Sequence, residues 1–176
     1  MSNKNGHTAK PKFLILEDEE YDLKLTIRAL KKDNIDFEHK VVENKAAFRK
    51  ELKSYNPDLI IADYNLPTMT GMDALKIVNK EASHIPFIFV TGSLGEERAV
   101  ETVKQGASDF VLKGNLIRLP MVIRRALKEI DDRQEKIIAQ TAFLTAEARY
   151  KQLIENAPVG ICELDLKGQI TSINKQ

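Results

Sequence analysis

An aspartate, Asp63, closes the apolar run Leu59-Ile60-Ile61-Ala62, and a loop of turn formers carries the chain on to Gly71. A carboxylate so placed can attack a phosphoryl group and hold it as an aspartyl phosphate. Four more residues with useful chemistry share its setting. Glu17 and Asp18 follow Phe13-Leu14-Ile15-Leu16, Thr91 follows Phe87-Ile88-Phe89-Val90, and Lys113 follows Asp109-Phe110-Val111-Leu112. Crowded carboxylates repel one another unless a cation lies between them. An all-oxygen set suits Mg²⁺, which binds through one or two carboxylates and keeps room for water and phosphate oxygens. Glu17 or Asp18 with Asp63 would supply that set, and the backbone carbonyl of Asn65, two residues past Asp63, is placed to add a ligand. Lys113 would neutralise phosphoryl oxygens opposite the metal, and Thr91 would donate a hydrogen bond to another. Such transfer is mostly positioning and electrostatic stabilisation, so few side chains suffice.

Each residue also has a plainer reading. Asp63 could cap a turn. Acids after the first run favour a helix macrodipole, which accounts for Glu19 and Glu20. Lys113 could be a solvated charge, and Thr91 a loop cap. Taken singly these readings are adequate; five matching residue types at four run ends argue for one shared site.

The residues can meet only if the runs before them are strands lying side by side. Each run is short, apolar and bounded by turn formers or charges, the pattern of a buried strand. Phe37 to Val42 is a further strand candidate. Helical spacing fills the intervals. Leu23, Ile27 and Leu30 share one face and Asp33-Asn34 stops it. Asn44 can cap a helix carrying Ala47, Phe48, Leu52 and Tyr55. Met72, Leu75, Ile77 and Val78 follow Gly71, and a fourth helix runs from about Glu96 to Gln105, ending at Gly106. Strand and helix alternate five times, which predicts an α/β fold, a doubly wound five-stranded parallel sheet. In a parallel sheet the carboxyl ends of the strands lie along one edge, where ligand chemistry gathers.

Residues 12 to about 130 resemble the receiver domain of two-component response regulators. The marks are Leu16-Glu17-Asp18-Glu19, Asp63-Tyr64-Asn65-Leu66-Pro67 with Gly71, Val90-Thr91-Gly92, and Phe110-Val111-Leu112-Lys113. The resemblance implies a flavodoxin-like fold. It implies that Glu17 and Asp18 hold Mg²⁺, that Asp63 takes phosphate from a histidine kinase or phosphotransfer protein, and that Thr91 and Lys113 contact the phosphoryl group. Phe110 falls at the aromatic switch position, so Thr91 is expected to move toward the phosphate with the ring following inward. Three departures stand out. Gly114 replaces the proline common after the lysine, so a trans peptide is expected there. Glu17 is one methylene longer than the commoner aspartate. Phe110 lacks the hydroxyl of the commoner tyrosine, so a switch there acts by packing. Asn65 and Ser93 flank the site and are candidates for placing the hydrolytic water.

Bulk properties exclude several classes. Of 176 residues, 43% are hydrophobic and 30% charged, a globular balance, and the formal net charge of +1 gives no electrostatic case for nucleic acid or a membrane surface. No apolar run reaches the ~18 residues that suggest a membrane span, and the polar start lacks the apolar core of a signal peptide. One cysteine, Cys162, cannot form an internal disulfide, which fits a cytoplasmic setting. His7, His39 and His84 lack ligand-like spacing and read as surface or loop residues.

From Ile117 the pattern is helical for some forty residues, with Pro120 tolerable in a first turn. Leu127, Ile130, Ile137 and Leu144 fit a heptad, with Gln134, Thr141 and Ala148 at the alternate seam position. A helix of that length lacks partner surface in its own chain, so a parallel homodimer along 118–156 is expected. Arg149 to Ile161 resembles the opening of a PAS sensory domain. Cys162-Glu163-Leu164-Asp165 and Gln169 to Asn174 then alternate like a hairpin about Leu166-Lys167-Gly168. The expected organisation is a disordered tail at 1–11, the receiver at 12–117, a signalling helix at 118–156 and a PAS fragment at 157–176. The chain itself is not expected to be an enzyme. A longer parent carrying histidine kinase or diguanylate cyclase activity is what the resemblance suggests. The alternatives are a Mg²⁺-dependent phosphohydrolase with an aspartyl-phosphate intermediate and a phosphorylation-independent dimeric scaffold. Dehalogenase-type hydrolases place Asp-x-Asp on the first strand, whereas here that strand ends Glu17-Asp18.

Overall fold

In a computed structural model, residues 10–92 and 102–173 are described, apart from the side chain of residue 172. Most of the tail expected at 1–11, Ser93, and the greater part of the helix expected over Glu96 to Gln105 lie outside those residues. The chain divides at Ile130 and Asp131 into two compact units.

The first unit holds five strands: β1 (Lys12–Leu16), β2 (Glu38–Val42), β3 (Leu59–Ala62), β4 (Phe87–Thr91) and β5 (Asp109–Leu112). All neighbours pair in parallel, in the order β2-β1-β3-β4-β5. Among the described residues three helices connect them: α1 (Glu20–Lys32), α2 (Lys45–Ser54) and α3 (Gly71–Glu81). Alternation along each strand sends side chains to opposite faces. Leu14, Leu16, Ile60, Ala62, Phe87 and Phe89 pack with Phe48 and Leu52 of α2 and with Leu75 and Val78 of α3. Phe13, Ile15, Leu59, Ile61, Ile88 and Val90 pack on the other face with Leu30 of α1 and with Val122 and Ile123 further on. Both faces are covered, and this is why the central strands read as continuous apolar runs rather than as alternating ones.

Local sequence sets the helix ends. Asn44 Oδ1 accepts from the Ala47 amide at 2.9 Å, the expected cap of α2. Thr70 and Asp73 form a capping box at the start of α3. Asp33 ends α1, and Asn34 follows in the left-handed region at φ 57°. After β5 the chain turns through a short 3-10 segment, Lys113–Arg118, into a long helix, Leu119–Glu155. Pro120 is its second residue, where a missing amide hydrogen costs nothing. Its first turns are core: Leu119, Val122, Ile123 and Ala126 are buried, and Leu127 packs partly against the same cluster. Arg124 bonds the Asp33 carbonyl at 2.7 Å and pairs with its carboxylate, and Arg125 pairs with Asp109.

The second unit carries the rest of the long helix and an antiparallel hairpin, β6 (Cys162–Leu164) with β7 (Ile170–Ile173). Asp165 builds its turn: Oδ1 accepts from the Lys167 and Gln169 amides at 2.8 and 2.9 Å. Gly168, at φ 79°, adopts the backbone conformation that the turn requires.

Candidate functional site

The strand order reverses direction between β1 and β3, so a crevice opens beyond their carboxyl ends. β1 and β3 are direct neighbours, and the Asp63 amide donates to the Leu16 carbonyl at 2.9 Å, fixing Asp63 beside Glu17. β4 brings Thr91 to the same edge, and β5 delivers Lys113. Four of the expected residues therefore converge: Glu17, Asp63, Thr91 and Lys113. Asp18 follows Glu17 half-buried.

Gly71, part of the motif but without a stated reason in the sequence, has one here. A Cβ at that position would stand 2.3 Å from the Asp63 carbonyl oxygen and 2.7 Å from the Phe89 ring. The start of α3 thus closes directly over the loop that presents Asp63, and a hydrogen bond from the Gly71 amide to the Tyr64 carbonyl at 2.9 Å holds it there. Asp63 Oδ1 accepts from the amides of Tyr64 at 2.5 Å and Asn65 at 3.3 Å, which orients the carboxylate.

The other oxygen, Oδ2, takes Lys113 Nζ at 2.7 Å. The same nitrogen lies 2.9 Å from Glu17 Oε2 and 2.6 Å from Asp22 Oδ2. Three carboxylates thus meet at one cation, as their mutual repulsion requires, and the cation is an ammonium. Burial works against the charge on Lys113, but the bonds it donates to Asp22, Asp63 and Glu17 outweigh it and hold its pKa above the ordinary lysine range. Glu17, 5% exposed, shows the opposite balance. Desolvation raises its pKa, and the Lys113 hydrogen bond and the Glu19 amide offset this only in part.

Asp22 was not among the residues the motif singles out. It lies in the first turn of α1, where an acid already has a sufficient explanation in the helix dipole. Its position five residues after Glu17 was the available signal, since the first turn of α1 follows directly from the end of β1.

Thr91 is fully buried, and its hydroxyl finds no hydrogen-bond partner among the described residues. An unsatisfied buried hydroxyl costs roughly 1–3 kcal/mol. Phe110 is half-buried against the α2–α3 side of the core. The described residues contain no cis peptide, so the Lys113–Gly114 bond is trans, and a Cβ on Gly114 would meet nothing within 4 Å. Among the described residues no trio of His, Cys, Asp and Glu is arranged to hold a metal, because Glu17 and Asp63 are turned onto Lys113. Their donor set is nonetheless the hard-oxygen chemistry that Mg²⁺ prefers.

This parallel sheet, with an acid pair after β1, an aspartate after β3 and a lysine after β5, defines the flavodoxin-like receiver class. The chain belongs to the response regulator receiver domain family, whose model matches residues 13–124, more than half of its length. It is 38% identical over 85 residues to the luminescence regulatory protein LuxO of Vibrio campbellii, covering 46% of this chain and 19% of that protein. The regulatory protein AtoC of Escherichia coli is 26% identical, over 89% of this chain and 34% of its own length. The sensor histidine kinase TmoS of Ectopseudomonas mendocina is 26% identical, over 94% of this chain and 20% of its own length. The chain thus spans about a fifth of the LuxO relatives it matches. Among solved structures, the signal receiver domain of a Luxo repressor protein from Vibrio parahaemolyticus aligns with a TM-score of 0.64 and 27% identity, over 74% of this chain and 98% of that one. No helix among the described residues is long and apolar enough to cross a membrane.

Proposed function

We propose that this chain is the phospho-acceptor module of a two-component relay. A carboxylate oxygen of Asp63 bonds the phosphorus as its bond to the donor, a histidine kinase or a phosphotransfer protein, breaks. The observation that carries this reading is the 2.7 Å contact of Asp63 with the Lys113 ammonium at the carboxyl edge of the sheet. Lys113 then donates to a phosphoryl oxygen, and Thr91 turns its buried hydroxyl to another. The space Thr91 leaves admits the Phe110 ring, which is the switch. Glu17, Asp18, Asp63 and the Asn65 backbone carbonyl would hold Mg²⁺. When bound, the ion supplies positive charge to offset that of the phosphoryl group.

The change is read through the long helix, which pairs with that of a second copy in a homodimer, and passes to a PAS-type domain that starts near residue 157. The hairpin at 162–173 supports that start, and the match to TmoS over nearly the whole chain supports a longer parent with a catalytic output. The chain itself catalyses no turnover of an external substrate.

Intact-mass spectrometry after incubation with acetyl phosphate and Mg²⁺ tests the reading. The parent gains one phosphoryl group and Asp63→Asn gains none. Uptake by Asp63→Asn at the parent rate overturns the assignment. So does a parent that neither gains mass nor binds beryllofluoride.

A further inference from the structure

Lys113 has three partners among the described residues, and under the function proposed above two of them are needed elsewhere. Asp63 must give its oxygen to phosphorus, and Glu17 belongs to the oxygen set suited to a divalent cation. The third, Asp22, has neither duty. It sits on α1 rather than at a strand end, yet its oxygen makes the shortest of the three contacts at 2.6 Å. An ammonium has three hydrogens. If two of its carboxylates turn away with nothing to hold the third hydrogen, the four-carbon arm of Lys113 is free to follow either of them. Asp22 is also set apart from the ordinary use of an acid in a first helical turn. The N-cap of α1 makes no side-chain cap bond, and the Asp22 carboxylate reaches 91 residues along the sequence to Lys113 instead of to its own helix amides.

We infer that Asp22 is a positioning residue for phosphoryl transfer. It tethers the Lys113 ammonium to α1, so that the ammonium stays beside Asp63 when Glu17 and Asp63 exchange it for other partners. The inference rests on the phospho-acceptor reading and adds to it a residue that the receiver motif does not contain. Asp22 acts through Lys113; it touches neither the metal nor the phosphoryl group.

The test measures two quantities on the full chain: the maximal rate of phosphorylation by acetyl phosphate, and the Mg²⁺ affinity without a phosphoryl donor. Asp22→Asn replaces a charge-assisted bond with a neutral one and should slow the maximal rate about tenfold. Mg²⁺ affinity should change by no more than about threefold, the share of one nearby charge. Asp22→Glu restores the carboxylate and should recover most of the rate, which a purely structural loss would not allow. A maximal rate for Asp22→Asn equal to that of the parent overturns the inference. So does a Mg²⁺ affinity that falls as steeply as the rate, since Asp22 would then be a metal ligand, and so does an Asp22→Glu variant as slow as Asp22→Asn. A parent that neither takes a phosphoryl group nor binds beryllofluoride overturns the phospho-acceptor reading itself, and the tether falls with it. A parent that is labelled normally beside an equally fast Asp22→Asn overturns the tether alone.

Discussion

The two units differ in what their apolar side chains meet. In the first, Phe13, Leu14, Phe48 and Phe89 are wholly removed from solvent, and both faces of the sheet are covered by the unit's own helices. In the second, no described residue is buried: Ile137, Ile138, Phe143, Leu144 and Leu153 are each more than half exposed. Both of its stretches carry a local signal, a heptad in one case and strand alternation in the other. Local pattern is therefore enough to choose helix or strand, and not enough to make a unit that stands alone. The receiver closes its core within one chain. The helix past Ile130 and the hairpin need surface from elsewhere.

The largest expected difference tests that contrast directly. Phe89 is fully buried between the Phe87 and Tyr64 rings, 5.0 and 5.8 Å away between centroids. Phe89→Ala should destabilise the receiver by about 3–5 kcal/mol, read from the urea midpoint of its unfolding transition. Phe143→Ala, at a site 68% exposed, should leave that midpoint unchanged. Equal losses at the two phenylalanines would abolish the distinction between the units.

A second contrast sets a buried cation against exposed ones. Removing one partner from a buried ionic cluster leaves uncompensated charge, at a cost of about 3–5 kcal/mol. Lys113→Met should fall near the lower figure at neutral pH, because the pocket is not fully closed; Lys151→Met on the long helix should cost nothing measurable. The pH dependence has a defined sign. Without Lys113, Glu17, Asp22 and Asp63 repel one another, and protonation relieves them. Burial already raises the Glu17 pKa above its ordinary value. The deficit of Lys113→Met relative to the parent should therefore shrink as pH falls toward the carboxylate range. Mg²⁺ should narrow it at neutral pH. Thermal melts across pH, with and without the ion, measure both, and a deficit that grows on acidification would contradict the charge account.

Much of the first unit could be read from the sequence, and the reasons are local. Four strands are short apolar runs that end at the residues of the site, so a parallel sheet brings those residues together without further information. Asn44 and Pro120 stand where capping and first-turn rules put them. What could not be read depended on contacts across the fold. Asp22 looked like any acid in a first turn, because nothing along the chain relates it to Lys113. Gly71 was part of a motif, but its reason, the approach of α3 to the Asp63 carbonyl, is visible only once β3 and α3 are packed. Thr91 is expected to donate a hydrogen bond; that its hydroxyl is buried with no partner among the described residues is seen only in the packed structure. Asn65 touches Asp63 through its amide, whereas the metal-binding roles expected of Asp18 and of the Asn65 carbonyl come from the family pattern.

The smallest expected effect on folding is also the one that asks most of the second unit. The heptad read along the long helix begins at Leu127, but Leu127 packs against the receiver core and is not free for a seam. What remains available is Ile130, Ile137 and Leu144, with Gln134, Thr141 and Ala148 at the alternate positions. The Thr141 and Thr145 hydroxyls donate to carbonyls one turn back in their own helix, at 2.8 Å each, and so make no demand on a second helix. A seam of three large apolar side chains per helix, interrupted by polar ones, would give modest affinity. Ile137→Asp with Leu144→Asp should shift the receiver midpoint by less than ~0.5 kcal/mol, because both positions are exposed within the chain. The same pair should convert a dimer to a monomer in sedimentation at micromolar concentration. If the receiver midpoint drops, the helix past Ile130 contributes to the core after all. If the dimer persists with the receiver unchanged, the pairing surface lies off this seam, and the exposed apolar residues of the hairpin, Leu164, Ile170 and Ile173, become its next location.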